Sequence, residues 1–183
     1  MDEGLVLFFL IVIGGLLILY IFNNNNRNSQ RKDGKIDDKD VKFSDVCEYV
    51  ENFIPECDQK LKSGYTEKSI ENQLAKYLKK RYVTVTQQHG VADKNARQID
   101  IDVANGVAGI ELKDVSKVIK TAEFDRLNGQ LSAYLENRYT KNNLILVICG
   151  ELSFFDDSKL QDVIKLCKKL DVKLINSIIK SNN

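Results

Sequence analysis

The sequence predicts an α/β domain whose mixed sheet is covered by helices on both faces, preceded by a segment long enough to cross a membrane. Three observations carry this expectation: apolar spacing that switches between helical and strand periods after residue 43, an Asn105-Gly106 hairpin signal, and a charge-free apolar run at residues 4–22. The expected order of elements is ααβββαβαβ, and a sheet between helical layers is the natural way to bury them.

The run at residues 4–22, GLVLFFLIVIGGLLILYIF, holds about 19 residues and as a helix rises roughly 28 Å, the thickness of a bilayer core. A cleaved signal peptide fits less well, since Asp2 and Glu3 stand where a basic stretch is needed and no small-x-small site follows. A buried core helix of a soluble protein is the other alternative. Residues 1–22 are therefore expected to be a single transmembrane anchor. Arg27, Arg31, Lys32 and Lys35 follow the run and nothing basic precedes it, which places the C-terminal domain in the cytoplasm. Residues 23–40, NNNNRNSQRKDGKIDDKD, have the polar, charged composition of a flexible linker.

Within residues 41–183, helices are expected at 43–61, interrupted by Pro55, and at 67–81, where Ile70, Leu74, Tyr77 and Leu78 recur at helical spacing. A strand at 82–87 precedes the hairpin. A helix at 121–138, an apolar strand NLILVIC at 143–149, a helix at 158–169 and a strand at 172–179 complete the domain. His89, in the segment QQHG, reads as a loop residue. The run Lys79-Lys80-Arg81 reads as a solvated helix end, favourably placed at the negative end of the dipole.

The 27 basic and 26 acidic residues leave a net charge of +1, which excludes a globally basic nucleic-acid binder but not a local basic patch. Cys47, Cys57, Cys149 and Cys167 are widely spaced in apolar segments and are expected to be reduced core thiols; with His89 the single histidine, a structural zinc site has no ligand set at the usual spacing.

The hairpin RQIDIDVANGVAGIELKDV is the informative stretch. Counted outward from a two-residue Asn105-Gly106 turn, Asp102 faces Gly109, Ile101 faces Ile110, Asp100 faces Glu111 and Ile99 faces Leu112. Ile99, Ile101, Ile110 and Leu112 then share one face, and Asp100, Asp102, Glu111 and Lys113 share the other. Carboxylates directly opposed across neighbouring strands repel, so Asp100 and Glu111 call for a cation, from Lys113 or from a hard divalent ion. A simply solvated hairpin face is the plainer alternative.

Asp100 followed by Glu111-Leu112-Lys113 resembles the PD-(D/E)xK nuclease superfamily, with its acidic strand residue and Glu-x-Lys on the next strand. Glu71, on the helix before the first core strand, and Gln130-x-x-x-Tyr134, on the helix after Lys113, extend the resemblance to the branch with QxxxY helices, over most of residues 69–150. The resemblance implies a restriction-endonuclease-like fold and a nuclease acting on nucleic acid, DNA in preference to RNA. It implies Mg²⁺, with Mn²⁺ as a substitute, held by Asp100, Glu111, the Leu112 carbonyl and Glu71, and Lys113 orienting the attacking water or stabilising developing charge. Asp100 is the expected ligand and Asp102 the second choice. Gln130, Tyr134 and Arg126 lie at i, i+4 and i−4 on one helix face and are expected to contact substrate.

Glu71 as an ordinary surface residue and Tyr134 as core packing are the structural alternatives. The resulting expectation is a membrane-anchored, Mg²⁺-dependent phosphodiesterase. The rival class is a catalytically inactive module of the same fold that binds nucleic acid or a partner protein at the membrane.

Overall fold

The computed structural model describes residues 34–56, 65–91, 98–140 and 142–179. The apolar run at 4–22, most of the linker and Cys57 lie outside them. Among the described residues no helix is long and apolar enough to cross a membrane.

Five strands form one sheet in chain order: β1 (Val85–Gly90), β2 (Gln98–Val103), β3 (Ala108–Asp114), β4 (Leu144–Gly150) and β5 (Lys173–Ile178). The β1–β2 and β2–β3 pairs are antiparallel, whereas β3–β4 and β4–β5 are parallel. The α/β class, the mixed sheet and the helices flanking it are as the hydrophobic pattern implied. β3 and β4 are buried along their whole length, as expected of central strands covered on both faces.

Helices α1 (Phe43–Glu51) and α2 (Glu67–Leu78) pack on one face, where Val46, Val50, Ile70, Leu74 and Leu78 meet Ile101, Ile110, Leu112, Val147 and Ile175. The short α3 (Val115–Val118), α4 (Thr121–Asn137) and α5 (Leu160–Leu170) cover the other, where Leu127, Leu131, Tyr134, Val163 and Leu166 meet Leu144, Leu146 and Ile148. The sheet thus separates two apolar layers. The periodicity of each helix aims its apolar stripe at one of them.

Several boundaries differ from the sequence reading. Helix α1 stops at Glu51, because Asn52 Nδ2 takes the Glu48 carbonyl at 2.8 Å and Pro55 cannot donate to continue the ladder. Helix α2 starts at a capping box in which the Thr66 hydroxyl accepts the Ser69 N–H at 3.1 Å while the Ser69 hydroxyl accepts the Thr66 N–H. The first strand begins at Val85 and runs through His89, which pairs with Ile99; His89 belongs to a strand and not to a loop. The last residues assigned to the linker pack on the domain: Ile36 bridges Tyr82, a 3₁₀ turn spans Asp38–Asp40, and Asp38 accepts the Asn105 amide at 2.7 Å.

The hairpin keeps the expected register at Val103–Ala108, Asp102–Gly109 and Ile101–Ile110, but its loop is wider. Ala104, Asn105 and Gly106 all take positive φ, and Val107 donates back to the Ala104 carbonyl at 3.4 Å, so four residues make the turn instead of two. A left-handed alanine carries no sequence signal.

Beyond Ile101 the expected alternation also breaks. Ile99 packs with Tyr134 and Tyr139 in the layer under α4, and Ile101 packs with Ile110 and Leu112 under α1 and α2. The β2–β3 pairing spans only the three pairs nearest the turn, and past them β2 rotates its side chains to the opposite layer. This splay creates the notch described next.

Candidate active site

The notch is the place where the β2–β3 pairing ends, and side chains of α2, β1 and α4 meet the two strands there. Asp100 stands at its mouth. Its Oδ2 accepts the Leu112 N–H at 2.8 Å, so a side chain takes a ladder donor of β3 and holds the strands apart. Its Oδ1 accepts the Gln88 amide at 3.2 Å.

Glu111 and Lys113 project from β3 toward α4, two residues apart and therefore on one side of the strand. Both are buried, and Lys113 Nζ forms an ion pair with Glu111 Oε1. Tyr134, from α4, donates its hydroxyl to the Gln98 carbonyl at 2.7 Å and lies 3.1 Å from Glu111 Oε2. The tyrosine therefore joins β2 to the β3 carboxylate at the point where the strands separate.

Glu71 is 4% exposed, which no feature of its amphipathic helix required. Its carboxylate accepts from Lys68 Nζ at 2.7 and 2.9 Å, from Gln87 Nε2 at 2.9 Å and from Gln88 Nε2 at 3.1 Å. Gln88 in turn reaches Asp100, so one amide connects the α2 carboxylate to the β2 carboxylate. Sequence reasoning missed Gln87, Gln88 and Lys68. The only signal for Lys68 was its i, i+3 spacing from Glu71; Gln87 was read as the end of a strand and Gln88 stands beside His89, which was read as a loop residue.

Burial dominates the electrostatics. Removal from water pushes the Glu111 carboxyl up to about 7; the Lys113 ammonium opposes this and the nearby Asp100 charge reinforces it. Asp100 is also raised, first by burial and further by Glu71, against the lowering pull of Lys113 and the Leu112 N–H. Tyr134 is pushed well above its ordinary value by burial and by Glu111. Burial thus favours the protonated form of both carboxyls.

The remaining expected residues are placed less centrally. Gln130 is half-buried one turn before Tyr134, and its Oε1 is buried without a hydrogen-bond partner. Arg126 is on the same helix face but turns outward to Glu123 at 2.6 Å, with half its side chain exposed. Asp102 belongs to a separate network: its Oδ2 accepts the Tyr139 hydroxyl at 2.6 Å and Arg138 at 3.1 Å, and its Oδ1 accepts the Gly106 N–H at 3.1 Å. It fastens the hairpin turn to the segment after α4, and it is not one of the carboxylates of the notch.

In donor chemistry the notch fits a hard divalent cation, because Asp100, Glu111 and Glu71 offer only oxygen. In placement the fit is incomplete: among the described residues no three His, Cys, Asp or Glu side chains gather closely enough to enclose a metal. Lys113 stands on Glu111, and Gln88 lies between Glu71 and Asp100. Cys47, Cys149 and Cys167 are free and buried, with thiols raised by desolvation, which makes them poor nucleophiles; Cys149 donates to the Lys113 carbonyl at 3.4 Å. No family model, curated protein or solved structure matches the chain.

Proposed function

We propose that the chain is a membrane-anchored, divalent-metal-dependent nuclease with a restriction-endonuclease-like core, acting on nucleic-acid phosphodiesters, DNA in preference to RNA. The observation that carries this reading is the convergence of Asp100, Glu111 and Lys113 on one notch, with Glu71 and Tyr134 hydrogen-bonded into it from the two flanking helices. The resemblance to the PD-(D/E)xK pattern selects the chemistry. Membrane attachment rests on the apolar run at 4–22 and its basic C-terminal flank.

Asp100, Glu111 and the Leu112 carbonyl, with Glu71 directly or through water, would hold Mg²⁺ or Mn²⁺. When bound, the ion supplies Lewis-acid polarisation of the phosphoryl group and a water of lowered pKa. The protein's own contribution is positional. Lys113, in contact with Glu111, would stabilise negative charge developing on phosphate and orient the attacking water. Tyr134 fixes the Glu111 rotamer through its second oxygen. Arg126 offers an exposed guanidinium, suited to a substrate backbone, on the helix face it shares with Gln130. Cleavage of DNA by the detergent-solubilised chain with Mg²⁺, lost in Lys113→Ala, tests the assignment; activity unaltered by that change would remove it.

One observation favours the second reading, a binding module without chemistry. Three of the four oxygens of Asp100 and Glu111 already accept from protein donors, Gln88 and Leu112 on the first and Lys113 on the second, and the fourth lies 3.1 Å from the Tyr134 hydroxyl. Mn²⁺ separates the two readings, since a ligand that binds only the folded state raises the melting temperature. An unmoved melting temperature favours the module.

A further inference from the structure

We propose that the end of the sheet carrying Lys79, Lys80, Lys168 and Lys169 docks on an anionic lipid surface and holds the domain against the membrane in one orientation. The inference rests on the reading of residues 4–22 as a membrane anchor and is independent of the chemistry of the notch.

Four connections meet at this end. Residues 79–84 lead into β1, the turn at 104–107 joins β2 to β3, residues 138–143 precede β4, and residues 171–172 precede β5. The pairs Val85–Val103, Val103–Ala108, Gly109–Leu144 and Ile145–Lys173 set all four at the same end of the strands. Helices α2 and α5 also finish there, which brings Lys79, Lys80, Lys168 and Lys169 to one side of the domain. All four are exposed, and none enters an ion pair among the described residues. Across five strands the charge is spread over roughly 20 Å. Asp171 stands against it at the α5 cap, while Lys35, Lys39 and Lys42 offset Asp37, Asp38 and Asp40.

The chain leads back to the apolar run from this same end. Ile36 donates to the Arg81 carbonyl at 2.8 Å and accepts the Val83 N–H at 3.2 Å, which fastens it to the segment Lys79-Lys80-Arg81-Tyr82-Val83. Residues 23–33, NNNNRNSQRKD, separate that point from the run and reach at most about 40 Å when fully extended. A tether of that reach makes docking intramolecular, so a weak attraction suffices. Val83, 47% exposed beside the lysines, adds an apolar contact. Basic and apolar side chains together suit a headgroup layer whose anionic lipids attract lysine within a Debye length.

The opposite end has larger exposed apolar side chains but the wrong charge. Leu152 and Phe154, in the loop after β4, are 61% and 37% exposed, yet Glu151, Asp156 and Asp157 flank them and only Lys159 opposes these acids within the loop. An anionic surface repels that loop. Glu111 and Lys113 lie along β3 from Ala108 by roughly 10–16 Å, so docking at the basic end sets the notch back from the lipid.

The chain contains no tryptophan, so Val83→Trp and Leu152→Trp each introduce a single reporter. Each full-length variant is reconstituted in vesicles containing brominated phosphatidylcholine, with or without phosphatidylglycerol. Emission of the Val83→Trp chain is expected to be quenched at least about twofold more in the anionic vesicles, and the excess to vanish in high salt or when Lys79→Glu and Lys80→Glu are added. Leu152→Trp is expected to be unquenched in both. Equal quenching of Val83→Trp in the two vesicles, its survival in high salt, or stronger quenching of Leu152→Trp overturns the docking and leaves the anchor standing. Release of the chain from vesicles by alkaline carbonate overturns the anchor and the docking together.

Discussion

The Asp100 carboxylate accepts the backbone N–H of Leu112 at 2.8 Å, where a neighbouring strand's carbonyl would otherwise stand. One side chain thus both terminates a β ladder and presents a second oxygen to the notch. Stability and chemistry separate on substitution. Asp100→Ala leaves the Leu112 donor without its acceptor and is expected to cost about 1–2 kcal/mol in urea unfolding. Asp100→Asn keeps an acceptor oxygen and relieves the cost of burying a carboxylate, which outweighs the lost attraction of Lys113, so its unfolding midpoint is expected to match or exceed the wild type.

The Glu111–Lys113 pair is buried on both sides, and its members depend on each other. Lys113→Met strands a carboxylate and Glu111→Gln strands an ammonium, each expected to cost about 3–5 kcal/mol. The double variant removes both charges and is expected to be more stable than either single one. Chemical denaturation of the four proteins gives the coupling; simple additivity would contradict a shared pair.

The elevated carboxyl of Glu111 has a consequence for pH. It titrates near 4.5 in an unfolded chain and near about 7 when folded, so between those values the folded state binds more protons. Stability is therefore expected to fall as pH rises from about 4.5 to about 7 and to level off above, with the raised Asp100 acting in the same sense. On the proposed nuclease reading Mn²⁺ would compete with that proton, and its affinity is expected to rise through the same window. Melting temperature against pH, with and without Mn²⁺, measures both; a wild-type slope retained in Glu111→Gln would assign it to another group.

Gly109 is required by space. A Cβ there would lie 2.6 Å from the Tyr139 ring and 2.7 Å from the Ile99 side chain, both in the buried layer under α4. Gly109→Ala is expected to destabilise the domain by about 1–3 kcal/mol. The same overlap reaches the hairpin anchor, because Tyr139 also donates to Asp102.

What the sequence disclosed about this fold follows from the range of each determinant. The strand alternation and the Asn105-Gly106 signal are local, and they gave the register of Asp102 and Ile101 correctly. The i, i+2 spacing of Glu111 and Lys113 and the i, i+4 spacing of Gln130 and Tyr134 likewise put chemistry on common faces before any tertiary contact was known. The crossing of Ile99 to the other layer depends on where the β2–β3 ladder ends, which no local pattern encodes. Burial of Glu71 and the two reaches of Gln88 depend on α2 lying against β1. In the competition between Asp100 and Asp102, contacts that no local pattern encodes tie Asp102 to Arg138 and Tyr139, 36 and 37 residues away.

That competition supplies the most direct measurement of the central claim: DNA cleavage with Mg²⁺ by the full chain in detergent, compared between Asp100→Asn and Asp102→Asn under conditions where both are folded. Cleavage by the wild type, its loss in Asp100→Asn and its retention in Asp102→Asn despite lowered stability are the expected results. Cleavage retained in Asp100→Asn, or absent from the wild type, would contradict it.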